Sequence, residues 1–260
     1  MEIGLSMIHC LNRPFSYLLR RLEKVDVECV ELVDEGLHSL TNRRIDALKK
    51  IVQSRDFQLT IHGPFADINI ASTVASIRRV MLKRLKKSIK LSSQLNPKLW
   101  IFHSGLENDM SDICPGLSWR TNLKSVYELL KTANQYGVKI TIENGPDPFP
   151  FLLKTANDLI RFYDDLGEAD LDLTLDVGHA NINGQIYELL SGFPDKIVHA
   201  HLHDNLGRFD EHLGIGQGNI NWLNLIRKFK ETNYKGTLII ESNKDIEESL
   251  KTLKTILEKV

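Results

Sequence analysis

Several things are scarce in this sequence, and each scarcity closes off a class of protein. Only three cysteines occur among 260 residues, Cys10, Cys29 and Cys114. Their spacing fits neither a disulfide framework nor a cysteine-based zinc knuckle, so free thiols in a reducing, cytoplasmic setting are the expectation. No apolar run is long enough to span a bilayer, and the N-terminus has no basic segment, apolar stretch and cleavage site in succession, so no membrane partner is expected. An excess of charge of one sign is also missing. The 33 Lys and Arg residues against 34 Asp and Glu give a formal net charge of -1, which supplies no global attraction to nucleic acid. Linkers rich in Pro, Gly and Ser are lacking too. Because a chain of about 250 residues is the usual size of one α/β barrel, a single domain over 1-260 is expected.

What is present is a rhythm. Short apolar runs near 2-6, 28-33, 57-62, 98-103, 139-143, 171-177, 197-203 and 237-241 alternate with amphipathic stretches, clearest near 73-95, 118-136, 219-231 and 245-259. Strand and helix alternating about eight times imply an α/β protein whose parallel sheet closes on itself, a (β/α)8 TIM barrel. The segment IRRVMLKRLKKSIK is strongly basic, but Ile77, Val80, Met81, Leu85 and Ile89 keep helical spacing. Its charges are therefore read as a solvated outer face rather than a DNA-binding stripe.

Residues that can bind metal recur where these strands end. TIHGPF and IFHSG place His62 and His103 at the carboxyl ends of strands 3 and 4, and TIENGP places Glu143 at the same level of strand 5. Barrel enzymes assemble their sites at that end. TLDVGH carries Asp176 and His179, which converge only if the chain turns at Gly178. In VHAHLHD the period of two directs His199, His201 and His203 to one side, with one or two of them able to reach the mouth. DEHLGIGQG adds Asp210 and His212 before a glycine-rich loop, and IIESN adds Glu241.

With these residues in place, the chain resembles the xylose isomerase-like barrel superfamily, which includes endonuclease IV and many sugar isomerases and epimerases. In the single-metal epimerases of that superfamily the ion is held by Glu, Asp, His and Glu on strands 5 to 8, and the matching residues are Glu143, Asp176, His201 and Glu241. The trinuclear zinc site of endonuclease IV adds residues that His62, His103, His179, Asp210 and His212 match in order and local spacing. The resemblance thus implies divalent ions, zinc preferred and manganese possible, up to three per chain.

Charge helps weigh the two branches. One divalent ion among Glu143, Asp176 and Glu241 leaves a net negative site suited to a neutral polyol, whereas three ions with Asp210 included leave a net positive site that attracts phosphate. The favoured expectation is a phosphoesterase of the endonuclease IV type, acting on a phosphate-containing substrate such as damaged DNA, with Glu143 bridging two ions. The alternative is an isomerase or epimerase acting on a small sugar or sugar phosphate, with Glu143 and Glu241 transferring a proton. Three features favour this alternative. Glu31, with Asp34 and Glu35, would set acidic charge near the mouth and repel DNA. Phe65 stands where endonuclease IV has a DNA-holding tyrosine. Arg208 lies where epimerases place an arginine on substrate hydroxyls, so Glu31, Phe65 and Arg208 are taken as substrate-binding. A metal-binding module without catalysis is a third alternative.

Overall fold

The computed structural model describes residues 1–260. Eight strands, β1 (Glu2–Ser6), β2 (Cys29–Val33), β3 (Gln58–His62), β4 (Leu99–His103), β5 (Ile140–Glu143), β6 (Asp172–Asp176), β7 (Ile197–Leu202) and β8 (Thr237–Ile240), pair in parallel and close into a barrel in sequence order. Around them run α1 (Phe15–Leu22), α2 (Asn42–Ser54), α3 (Ala75–Ser92), α4 (Met110–Ile113), α5 (Leu117–Tyr136), α6 (Ala156–Leu166), α7 (Val177–Ile182), α8 (Ile186–Gly192), α9 (Trp222–Glu231) and α10 (Ile246–Lys259). The (β/α)8 barrel expected from the alternating pattern is what forms. Apolar residues of the strands' outer faces pack against the helices in one core cluster that includes Ile61, Trp100, Phe162, Leu175, Leu225 and Leu238. No helix is long and apolar enough to cross a membrane.

The interior of the barrel is unusually polar below its mouth. Thr60, Thr141, Thr174, Glu31, His199 and Thr237 are all buried, and the Thr141 and Thr174 hydroxyls share a hydrogen bond of 2.7 Å. A barrel interior is ordinarily filled by branched apolar side chains, so this polar layer marks a floor built to support charge above it.

Helix α3 departs from its expected face. Leu82, Leu85 and Ile89 are buried, but Ile77 is 48% and Val80 69% exposed. The reason is length: an 18-residue helix extends about 27 Å, whereas a five-residue strand covers about 17 Å. The first turns of α3 therefore overhang the strand layer. The basic side chains face solvent as expected, with Arg84 paired to Glu35 and Lys86 to Glu128.

One buried carboxylate builds the long loop after β7. Asp204 Oδ2 accepts hydrogen bonds from the Trp222 indole at 2.7 Å and the Gly216 amide at 3.0 Å. Its Oδ1 accepts from the Asn205 and Ile220 amides at 3.0 and 3.3 Å. Gly218 passes so close that a Cβ there would lie 2.2 Å from Asp204 Oδ1. This knot fixes the segment that carries Asp210 and His212. Substituting Asp204→Ala orphans four donors, three of them in a buried setting, and we expect a loss of about 3–5 kcal/mol of stability, measurable by urea denaturation. An unchanged denaturation midpoint would show that the loop is held by something else.

Candidate metal centre

The nine expected ligands, contributed by strand ends and the segments just beyond them, meet at the carboxyl end of the barrel. They form three adjoining clusters, each with ligand atoms within 4.8 Å of one another: Glu143, Asp176, His201 and Glu241; His62, His103 and Glu143; and His179, Asp210 and His212 together with His203. In the first, His201 Nδ1 lies 3.0 Å from Glu143 Oε1, 3.3 Å from Glu241 Oε2 and 3.8 Å from Asp176 Oδ2. In the second, Glu143 Oε2 lies 3.2 Å from His62 Nε2 and 3.0 Å from His103 Nε2. In the third, Asp210 Oδ2 is 3.3 Å from His179 Nε2 and 3.2 Å from His212 Nε2. Four-coordinate ligands about 2.0–2.1 Å from an ion sit about 3.3 Å apart, so these separations suit divalent cations.

The donor set also passes a satisfaction test. Buried Glu143 Oε2, His103 Nε2 and Asp210 Oδ1 have no hydrogen-bond partner, although buried polar atoms are normally paired. Glu143, Asp176 and Glu241 are nearly or wholly buried beside them, and such charge needs a compensating partner.

Backbone carbonyls orient three of the imidazoles. His62 Nδ1 meets Gly63 O at 2.8 Å, His179 Nδ1 meets Asn144 O at 2.8 Å, and His212 Nδ1 meets Glu241 O at 2.7 Å. A carbonyl only accepts, so each Nδ1 carries the proton and each Nε2 faces its cluster. Asn144 does more, since its side chain exchanges hydrogen bonds with the main chain of Asp176 at 2.8 and 3.0 Å. It thereby locks β5 to β6 at the level of the ligands.

Asp176 and His179 do converge, but not through a turn at Gly178. β6 passes directly into α7, and Asp176 caps that helix by accepting from the His179 amide at 2.7 Å. Gly178 is small for a different reason: a Cβ there would lie 1.9 Å from the His203 ring. His199 and His201 of β7 and His203 just beyond it are all buried, in successive layers. His203 hydrogen-bonds Asp176 at 3.1 Å and stacks on His212 with centroids 4.0 Å apart.

The three expected substrate-binding residues fare differently. Phe65 lines the mouth, a cavity of about 190 Å³ shared with Ile8, Leu106, Pro146, Phe149 and Phe151 over the ligands. Glu31 does not reach it. Glu31 lies two residues before the end of β2, points into the barrel one layer below, and is fully buried against His199, His201 and Thr60. Asp34 is engaged by the Leu40 amide and Glu35 by the Phe65 and Ala66 amides, so these residues and Glu31 add no acidic charge to the opening. Arg208 is exposed on the loop and lines neither this cavity nor the adjoining one of about 460 Å³ behind Phe65, Leu106 and Phe151. No Lys or Arg lines either cavity.

A match to the xylose isomerase-like TIM barrel model spans residues 19–256. The chain belongs to this family. It is 33% identical to an uncharacterized protein of Methanocaldococcus jannaschii over 99% of this chain and 100% of that protein. A D-psicose 3-epimerase of Ruminiclostridium cellulolyticum is 24% identical over 87% of this chain and 78% of its own length. Among solved structures, a D-tagatose 3-epimerase-like protein superposes with a TM-score of 0.93 at 29% identity, covering 100% of this chain and 98% of that one. A D-psicose 3-epimerase solved with D-fructose shares the fold, with a TM-score of 0.81 at 16% identity over 99% of both chains. The expectation that endonuclease IV is the nearer branch is not supported, because the relatives with a named activity are an epimerase and an epimerase-like protein.

Electrostatics would make any metal loading at these histidines a proton exchange. Burial lowers the pKa of His62 and His212, but the carboxylates beside them more than reverse this and hold both at about 9. His179 is likewise held at about 10 against burial by Asp176 and Asp210. These folded values lie above the ordinary 6.5, so the stabilisation is complete below about pH 6.5 and is lost as pH rises through 9 to 10. Metal-free protein should therefore melt at progressively lower temperature across that window. Filling all three clusters with zinc near neutral pH should release protons from these histidines, counted by calorimetry in buffers of different ionisation enthalpy. Zinc uptake without proton release would show that those three imidazoles are not among its ligands.

Proposed function

We propose that this protein is a divalent-metal-dependent sugar epimerase or isomerase, with zinc or manganese held by Glu143, Asp176, His201 and Glu241. The observation that carries the reading is this buried cluster of three carboxylates and one imidazole at the base of the mouth. The epimerases among its relatives and the lack of any Lys or Arg in the cavity walls support a neutral sugar over a phosphorylated or nucleic-acid substrate. Phe65, Leu106 and Phe151 offer an apolar wall to the carbon face of such a ligand.

When bound, the ion would supply Lewis acidity that polarises a substrate carbonyl. The rest is work for the chain. Glu143 on β5 and Glu241 after β8 approach the cluster from separate strands, placing one carboxylate on each side of a bound carbon. One withdraws the proton next to the carbonyl and the other returns it to the opposite face, inverting that centre. In the metal-free protein His201 and His103 beside Glu143 outweigh the effect of burial and hold its carboxyl well below the ordinary carboxylate pKa. The aromatic wall and partly enclosed mouth limit water at the carbon.

Incubation with metal and a ketose panel including D-tagatose and D-psicose in deuterium oxide should place deuterium on the carbon beside the carbonyl. Glu143→Gln and Glu241→Gln, assayed at saturating metal, should slow this by about 10²- to 10⁴-fold. No exchange with any sugar or inositol derivative would overturn the proposal.

A second reading, phosphoester hydrolysis by three ions, is favoured by one observation, the two flanking clusters with ligand separations of 3.0–3.3 Å. It requires close to three ions per chain by elemental analysis. It also requires hydrolysis of a phosphodiester that His62→Ala and His212→Ala abolish. One ion per chain with both variants fully active in sugar exchange would dismiss it.

A further inference from the structure

His201 is oriented differently from the other ligand histidines. His62, His179 and His212 present Nε2 to their clusters and give Nδ1–H to a main-chain carbonyl. His201 presents Nδ1, and its Nε2 lies beside a carboxylate instead, 3.1 Å from Glu31 Oε1, a close charged contact aligned too poorly for a hydrogen bond. Glu31 is in turn gripped from the far side, its Oε2 accepting from His199 Nε2 at 2.9 Å and from Thr60 Oγ1 at 3.0 Å. All of these groups are fully buried in the floor beneath the ligands.

We propose that Glu31 is a positioning residue for metal binding: its carboxylate, 3.1 Å from His201 Nε2, holds the proton on that nitrogen and so favours the imidazole tautomer that offers the Nδ1 lone pair to the ion. The proposal rests on reading Glu143, Asp176, His201 and Glu241 as a cation site, but not on what reaction follows. Three features of the floor carry it. An ionised carboxylate has no proton to give, so a carboxylate held at Nε2 keeps the proton on that nitrogen and leaves Nδ1 free. A carboxylate partner also raises the electron density of the ligating nitrogen more than a carbonyl does. Thr60 and His199 meanwhile occupy the other oxygen, so Glu31 cannot swing toward the ligands and become a ligand itself. Ser6 and Thr60 flank Glu31 in register on the neighbouring strands, and Glu31 has no solvent exposure. The arrangement replaces the substrate contact expected of Glu31 with a role one layer deeper.

The test uses the full-length protein stripped of metal. Competition of Mn²⁺ and Zn²⁺ against a chromophoric chelator should show E31Q binding about 10- to 100-fold more weakly, with the number of ions per chain unchanged. Wild-type affinity in a folded E31Q, or the outright loss of one ion from the stoichiometry, would overturn the proposal, the latter because it would make Glu31 a ligand. A second measurement needs no variant. Wild-type protein carrying ¹⁵N-histidine and loaded with ¹¹³Cd should show cadmium coupling at His201 Nδ1 while Nε2 keeps its proton; coupling at Nε2 refutes the assignment. Neither readout depends on turnover. Failure of sugar exchange with both results intact would sink the epimerase reading alone, and exchange with unchanged E31Q affinity would sink this one alone.

Discussion

Negative charge buried at one end of the barrel is the constraint around which the rest of the molecule is arranged. Glu31, Glu143, Asp176 and Glu241 are all nearly or fully withdrawn from solvent, where an unpaired carboxylate costs several kcal/mol. Imidazoles compensate that charge in the metal-free protein and divalent ions would do so in the loaded one. A closed parallel barrel suits this task because eight strand ends meet in a ring and each delivers one side chain from a rigid backbone. The polar floor of threonines and His199 then gives the deepest carboxylate its hydrogen bonds, in a region that comparable barrels fill with hydrocarbon.

Support for the ligands is graded by depth. Near the mouth, main-chain carbonyls orient His62, His179 and His212, so no side-chain substitution readily disturbs them. Between β5 and β6 the task passes to the Asn144 amide. Deeper still, a carboxylate and two further side chains surround His201. The loop after β7 solves a related problem with a single residue, since Asp204 gathers four donors from segments as far apart as Asn205 and Trp222.

Much of the fold and the convergence of the candidate ligands were legible in the sequence, for physical reasons. Parallel strands buried on both faces read as short apolar runs, and a strand's last inward residue identifies itself when it is His, Asp or Glu against an apolar background. That is why His62, His103, Glu143 and Asp176 stand out. Glu31 was misplaced because ELVDE looks like a surface acidic cluster, yet its position two residues short of the end of β2 was the signal that it faces inward one layer down. Arg208 could not be placed because loops carry no periodicity. The same absence hid Ile8, Leu106, Pro146, Phe149 and Phe151, and it hid the caging function of Asp204. For Gly178, the sequence signalled a requirement for a small residue but not its cause, which is a ring from a neighbouring strand.

The lip of the mouth and its base belong to different parts of the chain. Glu143, Asp176, His201 and Glu241 sit on strands or one residue beyond them, tied into the barrel's hydrogen-bonded lattice, while Phe65, Leu106, Phe149 and Phe151 ride on connecting segments. Those segments can lengthen, shorten or exchange side chains without shifting the lattice beneath. A lineage built on this scaffold can therefore drift in which molecules it admits while its inorganic chemistry is inherited intact, and descendants would diverge first in diet and only later in reaction.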